Sequence, residues 1–161
     1  MPDAFDVDDL ETWSAFATVL EWLPPALDAQ LQRDSDLTHF EYGILFALAE
    51  APDRSLRMTV LASHSNSSLS RLSRAVSRLE VKGWVKRAPD PSDGRSTRAL
   101  LTASGSERYE QATPGHVATV NHLVLDSLTE TQRRQLREIS RRIMSAIREE
   151  DGWRPAPAAA R

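Results

Sequence analysis

The stretch LRMTVLASHSNSSLSRLSRAVSRLEVKGWVKR, residues 56–87, decides the fold. Thr59 is placed to cap a short helix ending near His64, with Leu61 and Ala62 turned inward. The polar link His64-Ser65-Asn66 then leads into a second helix, from Ser67 or Ser68 to Lys82. Leu69, Leu72, Val76 and Leu79 recur at three and four residues and define its inner face. Ser70, Arg71, Arg74, Ser77 and Arg78 fall on the outer face. Gly83 stands where a helix C-terminus favours a left-handed residue. Two helices joined by a tight turn, the second basic outside, form a helix-turn-helix pattern.

Immediately downstream, Trp84-Val85-Lys86-Arg87 is short and β-prone, and Thr97 to Leu101 reads as its return strand. The intervening Pro89–Ser96 reads as an eight-residue loop carrying the turn signal Asp93-Gly94, with Arg95 expected at its tip. A hairpin behind a helix-turn-helix is a wing. The fold class expected is therefore mainly α with a small β-hairpin: a winged helix with helices on either side.

Upstream, Leu10, Trp13, Phe16, Ala17, Leu20, Leu23, Leu27 and Leu31 trace one helical face, with residues 1–9 expected as a frayed leader. Pro24-Pro25 predicts a kink or break in that helix. Thr38 and Glu41 have capping-box spacing, and Phe40 to Ala51 reads as a helix buried nearly all round. Downstream, a long helix is expected over 102–127, capped by Thr102 or Ser104 and bent at Pro114-Gly115. A last helix is expected over 129–150, capped by Thr129 and Gln132, with Leu136, Ile139, Ile143 and Ile147 on one face. The Pro- and Ala-rich residues 151–161 read as a loose tail. The organisation expected is 1–36 leader and dimerisation helix, 37–103 winged helix, 104–150 dimerisation helices and 151–161 tail. The apolar stripes of the two terminal helices need cover, and a second copy of the chain would supply it with two-fold symmetry.

Charge is distributed unevenly. The 161 residues carry a formal net charge of −3, but residues 54–98 hold 10 basic and 3 acidic side chains, whereas residues 1–53 hold 1 basic and 12 acidic. A basic block coinciding with the helix-turn-helix is the electrostatic footprint of a nucleic-acid reader. Zero cysteines exclude disulfides, thiolate metal sites and cysteine nucleophiles. No apolar run approaches the ~20 residues of a membrane span, and the acidic start is unlike a signal peptide, so a cytoplasmic protein is expected. Catalysis is not expected: the chain has no Gly-x-Ser-x-Gly and no glycine-rich phosphate loop. His39, His64, His116 and His122 show no zinc-binding spacing, and Asp6, Asp8 and Asp9 lack the glycine and distal glutamate of a calcium loop. No cofactor and no metal are expected.

The segments 56–87 and DPSDGRSTRALLTASG (90–105) resemble the MarR family of bacterial winged-helix transcription factors. The Asp-Gly-Arg of the wing followed by Leu-Thr and a glycine carries most of the resemblance. THFEYGILFALAEAP (38–52) and the Pro-Gly-His of the long helix extend it over nearly the whole chain. The resemblance implies a homodimer, built through its terminal helices, that binds a pseudopalindromic duplex DNA operator and represses transcription. The alternative is a winged helix whose basic face meets a protein partner.

On the DNA reading, Ser67, Ser68, Ser70, Arg71 and Arg74 lie where base edges and phosphates would be, with helix capping also expected of Ser67 or Ser68. Arg95 suits a narrow minor groove, and Asp93, two residues away, is expected to orient it by an ion pair. Arg57, Lys82, Lys86, Arg87 and Arg98 are either phosphate contacts or solvated charges. The resemblance further implies a small, phenolic anionic effector in a cleft between the dimerisation helices and the winged helix. Trp13, Phe16, His39, Tyr42 and His116 are the candidate lining residues, plain core being the competing role for the first two and Tyr42.

Overall fold

The structure, a computed structural model, describes residues 4–150. Helix α1 spans Val7–Ser35, α2 His39–Glu50, α3 Met58–His64, α4 Leu69–Val81, α5 Ala103–Val120 and α6 Glu130–Glu150. Strands β1 (Ser55–Arg57), β2 (Val85–Asp90) and β3 (Asp93–Leu101) form one antiparallel sheet in the order β1-β3-β2. The tail 151–161 lies outside the described residues.

The core gathers around the helix-turn-helix. Leu72, Ala75, Val76 and Leu79 of α4 are fully buried against Leu31, Leu37, Ile44, Leu45, Leu48 and Leu61. Burying each of these leucines contributes about 2 kcal/mol. Leu69, expected inside, is about half exposed because it sits in the first turn of α4 and lines the open cleft toward the wing. Phe46 is likewise half exposed, so α2 buries one broad face and is not surrounded.

Capping chemistry sets the helix starts. Asp6 accepts from the Asp9 amide and opens α1 at Val7, so residues 7–9 of the expected frayed leader are helical, while residues 1–3 lie outside the described residues. Thr38 and Glu41 form the capping box expected of α2. Ser68, Thr102 and Thr129 cap α4, α5 and α6. Thr59 caps nothing: α3 starts one residue earlier, directly from β1, with Arg57 at the cap position and no side-chain cap bond.

The prolines act less strongly than expected. α1 runs unbroken through Pro24 and Pro25, and α5 through Pro114. The carbonyls that lose a donor at Pro24 and Pro25 belong to Leu20 and Glu21, both exposed, so water can replace the missing bonds. In the long C-terminal segment the irregularity falls at a π-helical turn, Asn121–Leu125, and not at Pro114.

The wing is tighter than expected. β2 continues to Asp90 and β3 begins at Asp93, so only Pro91 and Ser92 connect them. The pairs Asp90↔Asp93 and Pro89↔Thr97 leave residues 94–96 as a bulge in β3, and Arg95 sits in that bulge, short of the tip. β1, three residues long and without a local sequence signal, pairs with β3 from Ser55↔Leu100 to Arg57↔Arg98 and ties the wing to the start of α3.

The terminal helices are exposed on the single chain. α1 buries only Leu27, Gln30, Leu31 and Ser35, all in its C-terminal half. On α6, Leu136, Ile139, Ile143, Met144 and Ile147 are each more than a third exposed. Among the described residues no helix is long and apolar enough to cross a membrane.

Candidate nucleic-acid interface

The exposed side of α4, the wing and the first turn of α2 bound the basic region. Ser68 spends its hydroxyl on the α4 cap, accepting from the Arg71 amide at 3.2 Å, and meets the Ser70 hydroxyl at 3.2 Å. The Ser67 hydroxyl donates to the Ser68 carbonyl at 3.1 Å. Ser70 is exposed in the first turn, where side chains on an N-terminal helix face are free to meet a ligand.

The arginines of α4 divide into held and free. Arg78 donates from Nε to Glu41 Oε1 at 2.7 Å, and the Glu41 side chain is almost fully buried. The Arg71 guanidinium lies over the Phe40 ring, 4.4 Å from its centroid. Arg74, between them and exposed, has no hydrogen bond or ion pair among the described residues. With Asp28, Thr38 and Phe40 these three arginines line an open cleft of about 380 Å³.

A second cleft, of about 330 Å³, separates α4 from the wing. Leu69 and Ser73 line one side and Arg95, Ser96 and Thr97 the other. The structure thus brings Arg95 to the same groove as α4. Asp93 reaches Arg95 differently than expected. Its Oδ1 accepts the Arg95 backbone amide at 3.1 Å and its Oδ2 the Ser96 hydroxyl at 2.7 Å, with no ion pair to the guanidinium. These bonds hold the Asp93 carboxyl below its usual pKa, the Ser96 bond contributing most. The Arg95 side chain projects from a bulge that Asp93 fixes through the backbone.

Four of the five further basic residues have partners. Arg57 Nε donates to Asp90 Oδ2 at 2.7 Å, and Arg98 Nη1 lies 3.4 Å from the same oxygen. Arg98 also donates to the hydroxyl and carbonyl oxygens of Ser55. Arg87 pairs with Glu80 and reaches Ser73 and Ser77. Lys82 pairs with Asp36 at 3.0 Å. Lys86 is exposed. Asp90, with its side chain 1% exposed, is the hub that sequence reading missed. Its only signal was a carboxylate beside Pro91 in an otherwise basic block.

Of the candidate effector residues, three converge. The His39 and His116 rings are 5.4 Å apart, and Tyr42 is 4.4 Å from His116. Burial lowers the pKa of both histidines, with His39 adding to the effect at His116 and Asp28 opposing it at His39. The buried Nδ1 of His116 has no hydrogen-bond partner among the described residues. Tyr42 donates to or accepts from Thr113 at 3.1 Å and stacks near Tyr109, which sequence reading passed over. Trp13 and Phe16 form a separate pair, 6.4 Å between centroids, on the exposed half of α1. Among the described residues no three His, Asp or Glu side chains are grouped to hold a metal ion.

A MarR family model matches residues 35–96. Sco3205 of Streptomyces coelicolor, a MarR family transcriptional regulator solved in complex with DNA, is 42% identical, with a TM-score of 0.87 over 91% of each chain. AbsC, a MarR family transcriptional regulator of the same organism, is 30% identical with a TM-score of 0.86, over 91% of this chain and 98% of AbsC. The transcriptional repressor MprA of Escherichia coli is 27% identical over 110 residues, 67% of this chain. The match spans 62% of MprA's own length.

Proposed function

The chain belongs to the MarR family of transcriptional regulators, and from that premise we propose that it is a homodimeric repressor that binds a pseudopalindromic DNA operator. The observation that carries the reading is the common groove formed by α4 and the wing, with Arg95 and the first turns of α4 opening onto it. A groove bounded by a helix and a hairpin fits a duplex whose major groove takes the helix and whose adjacent minor groove takes the wing. The solved complex of Sco3205 with DNA supports the same use of the fold here.

On this reading Arg74 and Arg71 donate to base edges or flanking phosphates, with Ser67, Ser68 and Ser70 as short-range partners. Arg95 enters the minor groove, and Asp93 sets its height by holding the bulge. Residues 37–103 form the DNA-reading unit, and 1–36 with 104–150 the dimerising helices. The exposed stripes of α1 and α6 are the surfaces that two copies bury against each other. No catalytic step is assigned to the chain, and its place of work is the cytoplasm, where bacterial DNA lies.

A small anionic, phenolic effector is assigned to the His39–Tyr42–His116 cluster, where the unpartnered Nδ1 of His116 offers a polar handle among aromatic rings. Trp13 and Phe16 lie apart from that cluster, and the reading gives them to the contact between copies. Such a ligand acts by favouring a dimer with unsuitable spacing of its two α4 helices. Selection of bound duplexes from a random DNA pool tests the main reading. A two-fold sequence with half-sites about one helical turn apart supports it, and recovery of no common sequence contradicts it.

A further inference from the structure

We propose that Phe40 is a positioning residue for DNA recognition, acting through Arg71. The inference rests on the DNA-binding reading and names a determinant outside the recognition helix and the wing. Phe40 is the second residue of α2, partly buried against the core, and its exposed ring face carries the Arg71 guanidinium at 4.4 Å. The neighbouring residue, Glu41, holds Arg78 at 2.7 Å while closing the α2 capping box. The first turn of α2 therefore grips α4 at two points about two helical turns apart, on either side of Arg74, which has no partner among the described residues.

An unrestrained arginine on a helix surface samples many rotamers and must lose that freedom when it meets an anion. Stacking on Phe40 restricts Arg71 beforehand and leaves the guanidinium edge, with its N–H donors, open to the cleft shared with Arg74. Arg71 is thereby fixed at the α2 side of the groove and Arg74 is left to adapt to the bases. Aromaticity at position 40, rather than bulk, is what this role requires.

The test is a double-mutant cycle on the full-length chain, with Phe40→Leu, Arg71→Ala and the double variant titrated against a duplex recovered from the random pool. Loss of the ring is expected to weaken binding about two- to fivefold, the range of an exposed cation–π contact. In the Arg71→Ala background the same substitution is expected to have no effect, and Phe40→Tyr is expected to restore wild-type affinity. Thermal melting of each variant checks folding, and Phe40→Met takes the place of leucine if that variant is unfolded. Equal losses in both Arg71 backgrounds overturn the proposal, since a merely structural ring would act without the arginine. Wild-type affinity in Phe40→Leu overturns it as well, leaving the DNA reading intact. Failure of the wild-type protein to bind any duplex overturns both.

Discussion

Arg57 of β1 and Asp90 at the end of β2 meet at 2.7 Å, joining the two outer strands of the sheet across β3. Ser92 turns back onto the other oxygen of Asp90, donating its amide at 2.8 Å and its hydroxyl at 2.7 Å. The wing is therefore built around one buried carboxylate, and the two-residue turn follows from that local hydrogen bonding.

This geometry predicts an acid-dependent wing. The Arg57 bond, followed by those from Ser92, holds the Asp90 carboxyl well below its usual pKa of 3.8. A depressed folded-state pKa gives stability that is complete above the unfolded value and is lost as pH falls through the folded one. Asp90→Asn removes that dependence. Chemical denaturation from pH 6 to pH 2 is expected to show wild type more stable than the variant at pH 6, with the gap narrowing from about pH 5 downward. A gap independent of pH contradicts the assignment.

The histidine pair predicts a second dependence nearer neutrality. Burial lowers both pKa values from 6.5, so the unfolded chain takes up protons more readily than the folded one. Their contribution to stability is complete above the unfolded pKa and diminishes as pH falls below it. Denaturant midpoints are expected to fall between pH 7 and pH 5, and His116→Gln to flatten that slope. An unchanged slope in the variant removes His116 from the account.

Gly105 lets α5 pack tightly against Trp84, which leads into β2, and against Leu101 of β3. A Cβ there would lie 2.0 Å from the Trp84 carbonyl oxygen and 2.8 Å from Leu101 Cδ1. Gly105→Ala is expected to cost about 3 kcal/mol, the upper end of ordinary overpacking, because one of the clashing atoms is backbone. Gly94→Ala, with nothing within 4 Å of the added atom, is expected to stay within about 0.5 kcal/mol of wild type. Urea unfolding of the two variants gives the comparison.

The exposed stripe of α6 predicts the assembly. Ile143→Asp places a charge among Leu136, Ile139, Met144 and Ile147, where burial against a second copy cannot accommodate it. Sedimentation is expected to give a dimer for wild type and a monomer for the variant. A wild-type monomer at micromolar concentration contradicts the dimeric reading.

Local signals carried far in this chain. The three- and four-residue spacing of Leu72, Val76 and Leu79, and the Thr38–Glu41 spacing, depend on neighbours in sequence, and the structure follows them. Features set by distant partners were harder to read. β1 exists because β3 pairs with it some forty residues later. Arg57 and Arg98 read as surface charges because their common partner, Asp90, becomes buried only when the sheet forms. Pro24 and Pro25 signal a break by local rules, yet the helix passes through them with its orphaned carbonyls facing solvent. For the residues proposed to face DNA, the basic face of α4 was legible from residue spacing, whereas its division into held Arg71 and Arg78 and an Arg74 without a partner among the described residues needed the fold.

The most direct test of the central claim is a titration of the selected duplex with wild-type, Arg74→Ala and Arg95→Ala protein across a series of salt concentrations. One dimer is expected per duplex, with an affinity that falls steeply with salt, as several phosphate contacts require. Arg74→Ala is expected to relax base preference by about 1–3 kcal/mol per half-site, and Arg95→Ala to weaken binding with a shallower salt slope. Binding that is shallow in salt, blind to sequence and indifferent to both substitutions would contradict it.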